Sequence, residues 1–428
     1  MATPVAVAGI RELTVGWGVA GKGCESRHKA SCTRLVLHSS IGLDLLRFSA
    51  RDRTARRIST EANMSKRADG SSNVTRRDVL RVATAATAAS AASGLLAVES
   101  AEAAQIESLI AKPPAGFKPL TVPGKIVKVS AKGDFASYMQ PNQLWPKPEV
   151  ASAMLEKALT EFTGTSNLTD ALGKFIHKDD VVAIKPNGIA GQKGYTMATN
   201  FELILPLVQG LMKLGVPADK ITVYEQYPTF LAGTRVNVRD WKLPAGVRSG
   251  THNNNDHPMP DIKIYNGIKT RYCRFFTEAT AVINLTMMKD HGICGYTGTL
   301  KNITHGNVNN PHEHHEHHAS PQIAMLYNHP IVTSRVRLHI TDAYKITYDK
   351  GPLDKDPKTR VPHGAVYVAT DPVAMDTYGW NVIDEERKAH GLPSLKESGR
   401  EPAYIRAAGQ FGLGVHDLSA LKVQTFEV

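Results

Sequence analysis

The chain is poor in cysteine, in aromatic residues and in uninterrupted apolar runs, and each shortage removes a class of function. Four cysteines occur in 428 residues, none in a CxxC arrangement. Cys24 and Cys32 fall in an amino-terminal region unlike a folded domain, leaving Cys273 and Cys294. Two thiolates cannot ligate a four-cysteine iron–sulfur cluster, so none is expected. The pair is expected to form one disulfide or two unpaired thiols, ahead of metal ligation. Aromatics make up 7% of the chain, and no dense Lys/Arg patch with interleaved rings appears, so nucleic acid is not an expected partner. The glycine-rich stretch between Asn284 and Gly306 holds neither a Walker loop nor a GxGxxG fingerprint, which leaves nucleotide binding there little support. The mild apolar run Ala83–Val98 spans 16 residues, five of them Ser, Thr or Gly. That is too short and too polar for a stable membrane span.

What stands before and after that run is more telling. Thr75-Arg76-Arg77-Asp78-Val79-Leu80 precedes it, and Ala101-Glu102-Ala103 follows. Paired arginines, a weakly apolar segment and a small-x-small site together read as a twin-arginine signal. The expectation is an exported, periplasmic bacterial protein that meets the twin-arginine translocation machinery and keeps no membrane span after cleavage. Met64 opens a conventional signal start, so residues 64–103 are read as the signal peptide. Residues 1–63, with five acids against ten Lys/Arg and no helix or strand period, are read as a mis-called start or disordered leader. The formal charge of the whole chain is +11. Residues 104–428 carry 36 Lys/Arg against 31 Asp/Glu, so most of the basicity belongs to the discarded part.

The rest is long enough for a real core. Residues 104–124, rich in Pro and Lys, read as a linker, and 125–428 as the folded domain. Asp180–Lys185 is a short apolar run stopping at Pro186-Asn187-Gly188, the pattern of a buried strand ending in a functional loop. A helix is predicted over Phe201–Leu214, closed by Gly215, then a strand over Ile221–Glu225. Further strands fit Ile126–Ser130, Ala281–Leu285, Val336–Thr341, Ala365–Ala369 and Leu421–Phe426. Further helices fit Glu149–Phe162, Pro372–Arg387 and Pro402–Phe411. The rhythm predicts an α/β fold, a mainly parallel sheet flanked by helices, either as one body or as two α/β lobes with a cleft between them.

Chemistry concentrates between Asn284 and His329. Asn284–His291 runs toward a glycine-rich loop containing Gly295 and Gly298, followed by Leu300-Lys301-Asn302 and His305-Gly306. Glycines entering a helix offer backbone N–H groups to an anion or cofactor, with Lys289 and Lys301 adding charge. Next comes His312-Glu313-His314-His315-Glu316-His317-His318, within an insert at 305–320. Were it helical, His314 and His318 would share a face, as would His312 and His315. Imidazoles suit zinc, iron, nickel or copper alike. The run is equally compatible with a solvated, metal-scavenging tract. Eleven of seventeen histidines lie between His252 and His339, and His291 and His305 are the first to place at a site. His339 is expected in a sheet face, Asp371 as a helix cap, and Asp376 as a buried or cleft-facing carboxylate with a role.

These blocks together resemble the domain of unknown function 362 family. The resembling pieces are Val182–Asn187, Asn284–His291, Leu300-Lys301-Asn302, Asp342 with Gly351-Pro352, Thr370–Asp376 and Tyr404–Gly414, in order over about 125–415. Some relatives carry ferredoxin-like cysteine motifs; this chain lacks them, so that label does not transfer. A remoter similarity to the lactate racemase class, with Lys and His around a nickel-bearing cofactor between two α/β domains, implies architecture rather than chemistry. The expectation is a metal-dependent enzyme acting on a small anionic substrate. Its metal would be held among His291, His305, His312, His314, His315 and His318. Lys185, Asn187, Lys289, Lys301 and Asn302 would hold the anion, with Asp342 or Asp376 as base or orienting group. The alternatives are a non-enzymatic metal-buffering or cofactor-carrying protein and a small-anion binding protein.

Overall fold

The computed structural model describes residues 100–194 and 196–428, all within one compact unit. The predicted leader and the signal peptide up to residue 99 lie outside the described residues. The fold is α/β, with a mixed, mostly parallel nine-stranded sheet among the described residues. The elements used below are β1 (Lys125–Ser130), α1 (Pro148–Thr163), β2 (Val182–Lys185), α2 (Phe201–Leu214), β3 (Ile221–Glu225) and β4 (Arg248–Thr251). They continue with β5 (Ala281–His291), β6 (Gly295–Thr297), α3 (Thr299–Thr304), α4 (Gln322–Asn328), β7 (Val336–Thr347) and β8 (Arg360–Ala369). The last are α5 (Pro372–Ala389), α6 (Ala403–Gln410) and β9 (Lys422–Glu427).

The sheet order is β9-β1-β8-β7-β5-β2-β3-β4, with β6 pairing on the end of β5. From β7 to β4 every pairing is parallel, while β8 lies antiparallel between β1 and β7. The chain leaves β2 toward β3 and β4 on one side, then returns to place β5 and β7 on the other. Strand order therefore reverses between β2 and β5, and in open α/β sheets the crevice beyond such a reversal is where ligands bind.

Alternation along the strands explains the two apolar layers. Val182 and Ile184 of β2 face one core with Ile283 and Leu285 of β5, while Ala183 and Val282 face the other. Helices α1 and α2 cover the first face; α3, α4, α5 and α6 cover the second. Covered on both faces, the parallel strands read as near-continuous apolar runs. Helix α2 ends where Gly215 takes φ 101° and its N–H returns to the Leu211 and Met212 carbonyls.

Several boundaries differ from expectation, each for a tertiary reason. Strand β5 was expected to stop at Leu285 but runs to His291 with all eleven residues buried. Its polar side chains find partners across the domain, as shown below. β7 likewise runs to Thr347, and β4 and β6 lack the apolar alternation that would have marked them. The stretch expected as a linker is tied down: Ala111 N–H donates to Ser334 Oγ at 3.1 Å and Val122 N–H to Thr370 Oγ1 at 2.8 Å. One unit, rather than two lobes, surrounds the sheet. No helix among the described residues is long and apolar enough to cross a membrane.

One buried ion pair pins β7 to the loop before β2. Arg337 donates to both oxygens of Asp180, at 2.7 and 3.1 Å, and to the carbonyls of Phe175 and Thr280. Removing one partner of such a pair strands a buried charge. Asp180→Ala is expected to cost about 3–5 kcal/mol in unfolding free energy by denaturant titration; a loss below about 1 kcal/mol would show that Arg337 finds other compensation.

Candidate functional site

A cavity of about 750 Å³ opens beyond the carboxyl ends of β2 and β3, beside the end of β5. Lys185 closes β2 and Asn187 follows it; Glu225 closes β3; His291 closes β5; Lys301, Asn302 and His305 come from α3 and its end. Lys185 Nζ pairs with Glu225 Oε2 at 2.9 Å. The Glu225 carboxylate also accepts from the N–H groups of Gly188 and Gln226 at 2.8 and 2.7 Å, so its charge is engaged within the wall.

Behind this floor runs a relay of side-chain amides. Lys289 Nζ donates to Asn187 Oδ1 at 2.6 Å, and Asn187 Nδ2 donates to Asn302 Oδ1 at 3.0 Å. Asn302 Nδ2 donates to Asn284 Oδ1 at 2.7 Å and to the Lys185 carbonyl at 3.2 Å. Asn284 Nδ2 continues to the Thr299 carbonyl at 2.9 Å and meets His339 Nδ1 at 3.2 Å. Every amide orientation is thereby set by its neighbours. Lys289 is fully buried behind Asn187 and does not line the cavity. It holds the amide rather than a ligand, a correction to its expected role.

His291, His305, His312 and His315 line the cavity. The His291 and His315 rings stack with centroids 5.4 Å apart, and His305 meets His315 edge-on at 4.6 Å. Hydrogen bonds decide which nitrogens carry protons. His291 Nδ1 accepts from the N–H groups of Ile293 and Cys294 at 3.1 and 3.3 Å, so the proton of the neutral ring sits on Nε2. His315 Nδ1 faces the Pro311 carbonyl at 2.9 Å and must donate, leaving Nε2 to accept from Lys301 Nζ at 3.1 Å. His305 Nε2 donates to the His314 carbonyl at 3.2 Å. Burial and the nearby Lys301 push His291 and His305 well below the usual imidazole range, and hold His315 down to about 3. All three rings are neutral.

This donor set does not fit a metal ion. The lone pairs of His291 and His315 are already engaged inside the protein, His305 Nε2 is a donor, and the cavity carboxylate is paired with Lys185. Among the described residues no three His, Cys, Asp or Glu side chains converge as ligands. The histidine run does not form a helix: Glu316 is extended, and His317 and His318 take φ of 50° and 59°. His314 therefore turns inward, fully buried, with Nε2 at 2.7 Å from Thr270 Oγ1, while His318 is exposed. Neither reaches the cavity, which corrects their expected place as ligands.

The glycine-rich turn is also occupied, by the protein itself. The N–H groups of Thr299 and Leu300, opening α3, donate to the two oxygens of Asp376 at 2.5 and 2.9 Å. A carboxylate at a helix start supplies the negative charge that an external anion would bring. A Cβ on Gly298 would lie 2.3 Å from Asp376 Oδ1, and one on Gly295 1.9 Å from the Arg400 carbonyl. Both glycines thus serve close packing rather than cofactor binding. Burial pushes Asp376 up to about 7 against the hydrogen bonds that favour its ionised form. Asp342 is pushed up by burial to about 6 and accepts from Asn200 N–H and Nδ2 at 2.6 and 2.9 Å. Neither carboxylate lines the cavity. Asp371 caps α5 through Ala374 N–H and clamps Gly124 and Val415. Cys273 and Cys294 are free and buried, and burial pushes their thiols up to about 12 and 11.

The sequence reading missed the apolar half of the cavity and its one acid. Tyr227 and Phe230 follow β3 with rings 5.0 Å apart, and Ile189, Ile293, Pro352 and Leu353 complete that side. Ile293 is 45% exposed, unusual for a large apolar side chain at the mouth of a polar floor. Only the glycine-flanked position of Ile293 hinted at this.

Burial brings Lys289 down to about 7 from its usual 10.5, with Lys301 and Lys185 pressing the same way against Glu225. Between those two values the unfolded chain binds more protons than the folded one, so this group makes stability rise with pH. Lys289→Met should flatten that rise; denaturation midpoints between pH 7 and 10 would show an unchanged slope if the assignment were wrong.

Residues 182–381 match the family described as domain of unknown function (DUF362). No curated protein matches the chain by sequence. A solved structure, the lactate racemase apoprotein from Thermoanaerobacterium thermosaccharolyticum, is similar at a TM-score of 0.33 and 11% identity, covering 60% of this chain. The matched part spans 57% of that structure's own length, and a likeness this loose says nothing about chemistry. The match runs from β2 into α5, the segment that supplies the floor of the cavity and its histidine wall.

Proposed function

We propose that the cavity binds a small organic anion with an apolar body, and that the protein is an enzyme acting on it. The observation that carries this reading is the mixed lining of the cavity. It presents Lys301, His291 with its proton on Nε2 and the buried, unpartnered hydroxyl of Thr297, with its one carboxylate already paired to Lys185. It also presents Tyr227, Phe230, Ile189 and Ile293. A cationic donor and a ring N–H beside a carboxylate that is already paired favour an anion over a cation, while the apolar side chains favour a ligand that carries rings or branched carbon. Neutral histidines and a buried lysine beside the bound anion are suited to proton transfer.

Calorimetric titration tests the reading. Phenyllactate should bind more tightly than lactate, and phenethylamine should not bind. Lys301→Met should weaken phenyllactate by about 10–100-fold, the loss of a charge-assisted hydrogen bond. Equal affinity for phenyllactate and phenethylamine would refute it. Elemental analysis discriminates the metal-dependent enzyme: one stoichiometric metal, lost when residues 312–318 become Ser/Gly, would show that the histidine rings reorganise around an ion. Several weakly held ions would favour metal buffering instead.

The proposed place of action is the periplasm, reached by the twin-arginine route. Replacing Arg76-Arg77 by Lys-Lys should leave the full-length precursor in the cytoplasm on cell fractionation; normal processing would remove the export assignment.

A further inference from the structure

We propose that Lys301 is a nucleophile that forms an imine with a carbonyl-bearing organic anion, such as a 2-oxo acid. The proposal rests on the reading that this cavity holds an organic anion, and it goes further by naming a covalent step. The cavity holds one buried lysine without a carboxylate. Lys185 is ion-paired to Glu225, Lys289 sits behind Asn187, and Lys355 is exposed at the rim. Lys301 is 7% exposed, lines the cavity and makes no ion pair among the described residues. Its side chain meets the His315 nitrogen that can only accept, since the other ring nitrogen donates to the Pro311 carbonyl. A buried amine with no carboxylate to hold its proton, hydrogen-bonded to a fixed neutral acceptor, has the setting of an activated nucleophile. Burial also lowers the proton affinity of Lys301, which raises the share of free amine near neutral pH.

The step balances without an oxidant or reductant. The Lys301 nitrogen attacks the substrate carbonyl carbon, forming a C–N bond as the C=O π pair moves to oxygen. His315 Nε2 relays the two protons that nitrogen loses, one after the other: the first turns the alkoxide into the carbinolamine hydroxyl, and the second lets that hydroxyl depart as water while the nitrogen lone pair forms the C=N bond of the imine. His291 lines the cavity with its proton on Nε2, and in this step that N–H holds the carboxylate or the developing oxyanion. His315 touches a reacting atom only in its present tautomer, so the Pro311 carbonyl acts as the positioning group.

The test is reductive trapping on the intact folded chain. Phenylpyruvate is added with sodium borohydride, and the adduct is mapped by peptide mass spectrometry. The expected result is one reduced phenylpyruvyl adduct on the peptide carrying Lys301, lost in Lys301→Arg. That variant keeps the positive charge, so it should lose less phenyllactate affinity than Lys301→Met while losing the adduct altogether. His315→Gln should slow adduct formation by a larger factor than it weakens phenyllactate binding. Phenyllactate binding without any adduct on Lys301 overturns the imine and leaves the anion reading standing. Adducts that persist in Lys301→Arg mark ordinary surface lysines and overturn it as well. Failure of phenyllactate to bind the parent removes the anion reading, and an adduct on Lys301 under those conditions would uphold the nucleophile alone.

Discussion

The side-chain amide of Asn302 sits where three elements must agree. It accepts from Asn187 beyond β2, donates to Asn284 in β5 and to the carbonyl of Lys185, and is itself carried by α3. Parallel strands alone would leave the position of Asn187 to the loop that follows β2. The amide ties that loop to β5 and α3, and Lys289 at its far end holds Asn187 in the orientation that sends its amide hydrogens toward Asn302. A fully buried relay of this kind is costly unless every member is satisfied, and here each named contact is made. The rigidity of the cavity floor follows from that condition rather than from packing alone.

The same economy of polar groups explains why the glycine turn is not a ligand site. A helix start exposes N–H groups that need acceptors. In this chain α5 supplies them through Asp376, so the anion at α3 belongs to the fold. What remains open to a ligand is what the protein leaves unanswered: a lysine without a carboxylate, a ring N–H, a hydroxyl, and an uncovered apolar side. The cavity is defined as much by the internal partners already taken as by the residues that face it.

The architecture could be read from sequence where apolar patterning is local. β2, α2 and β3 announce themselves by short apolar runs, a Gly215 stop and a 3.6-residue period. The later half of β5 could not be read this way. Thr286, Lys289 and Asp290 are strand residues only because Gly298, Asn187 and Arg400 answer them from distant positions. At the cavity, lysine and histidine density pointed to Lys185, Asn187, His291, Lys301 and His305. Glu225 looked like any polar residue ending a strand, since its importance arises from Lys185 on the neighbouring strand. The histidine run was visible as composition, but its directions are set by the backbone reversal at Glu316–His318, which no i,i+4 rule anticipates. Asp376 illustrates the opposite case: a buried carboxylate was foreseen, yet whether it meets a ligand or two N–H groups is a tertiary fact.

Burying Lys185 and Lys301 to 2% and 7% exposure at the bottom of a recess has a consequence for how the solution around the protein matters. Charges on an open surface are weakened by the diffuse ion atmosphere, so their attraction fades smoothly with ionic strength over about 8–10 Å. Lys301 and Lys185 are shielded from that atmosphere by the walls around them. For an anion bound there as proposed, dissolved salt would therefore act as a competitor rather than a screen: a salt anion would matter by entering and shedding its own water, not by its contribution to the bulk. Weakly hydrated anions would then displace the ligand more readily than strongly hydrated ones at the same ionic strength.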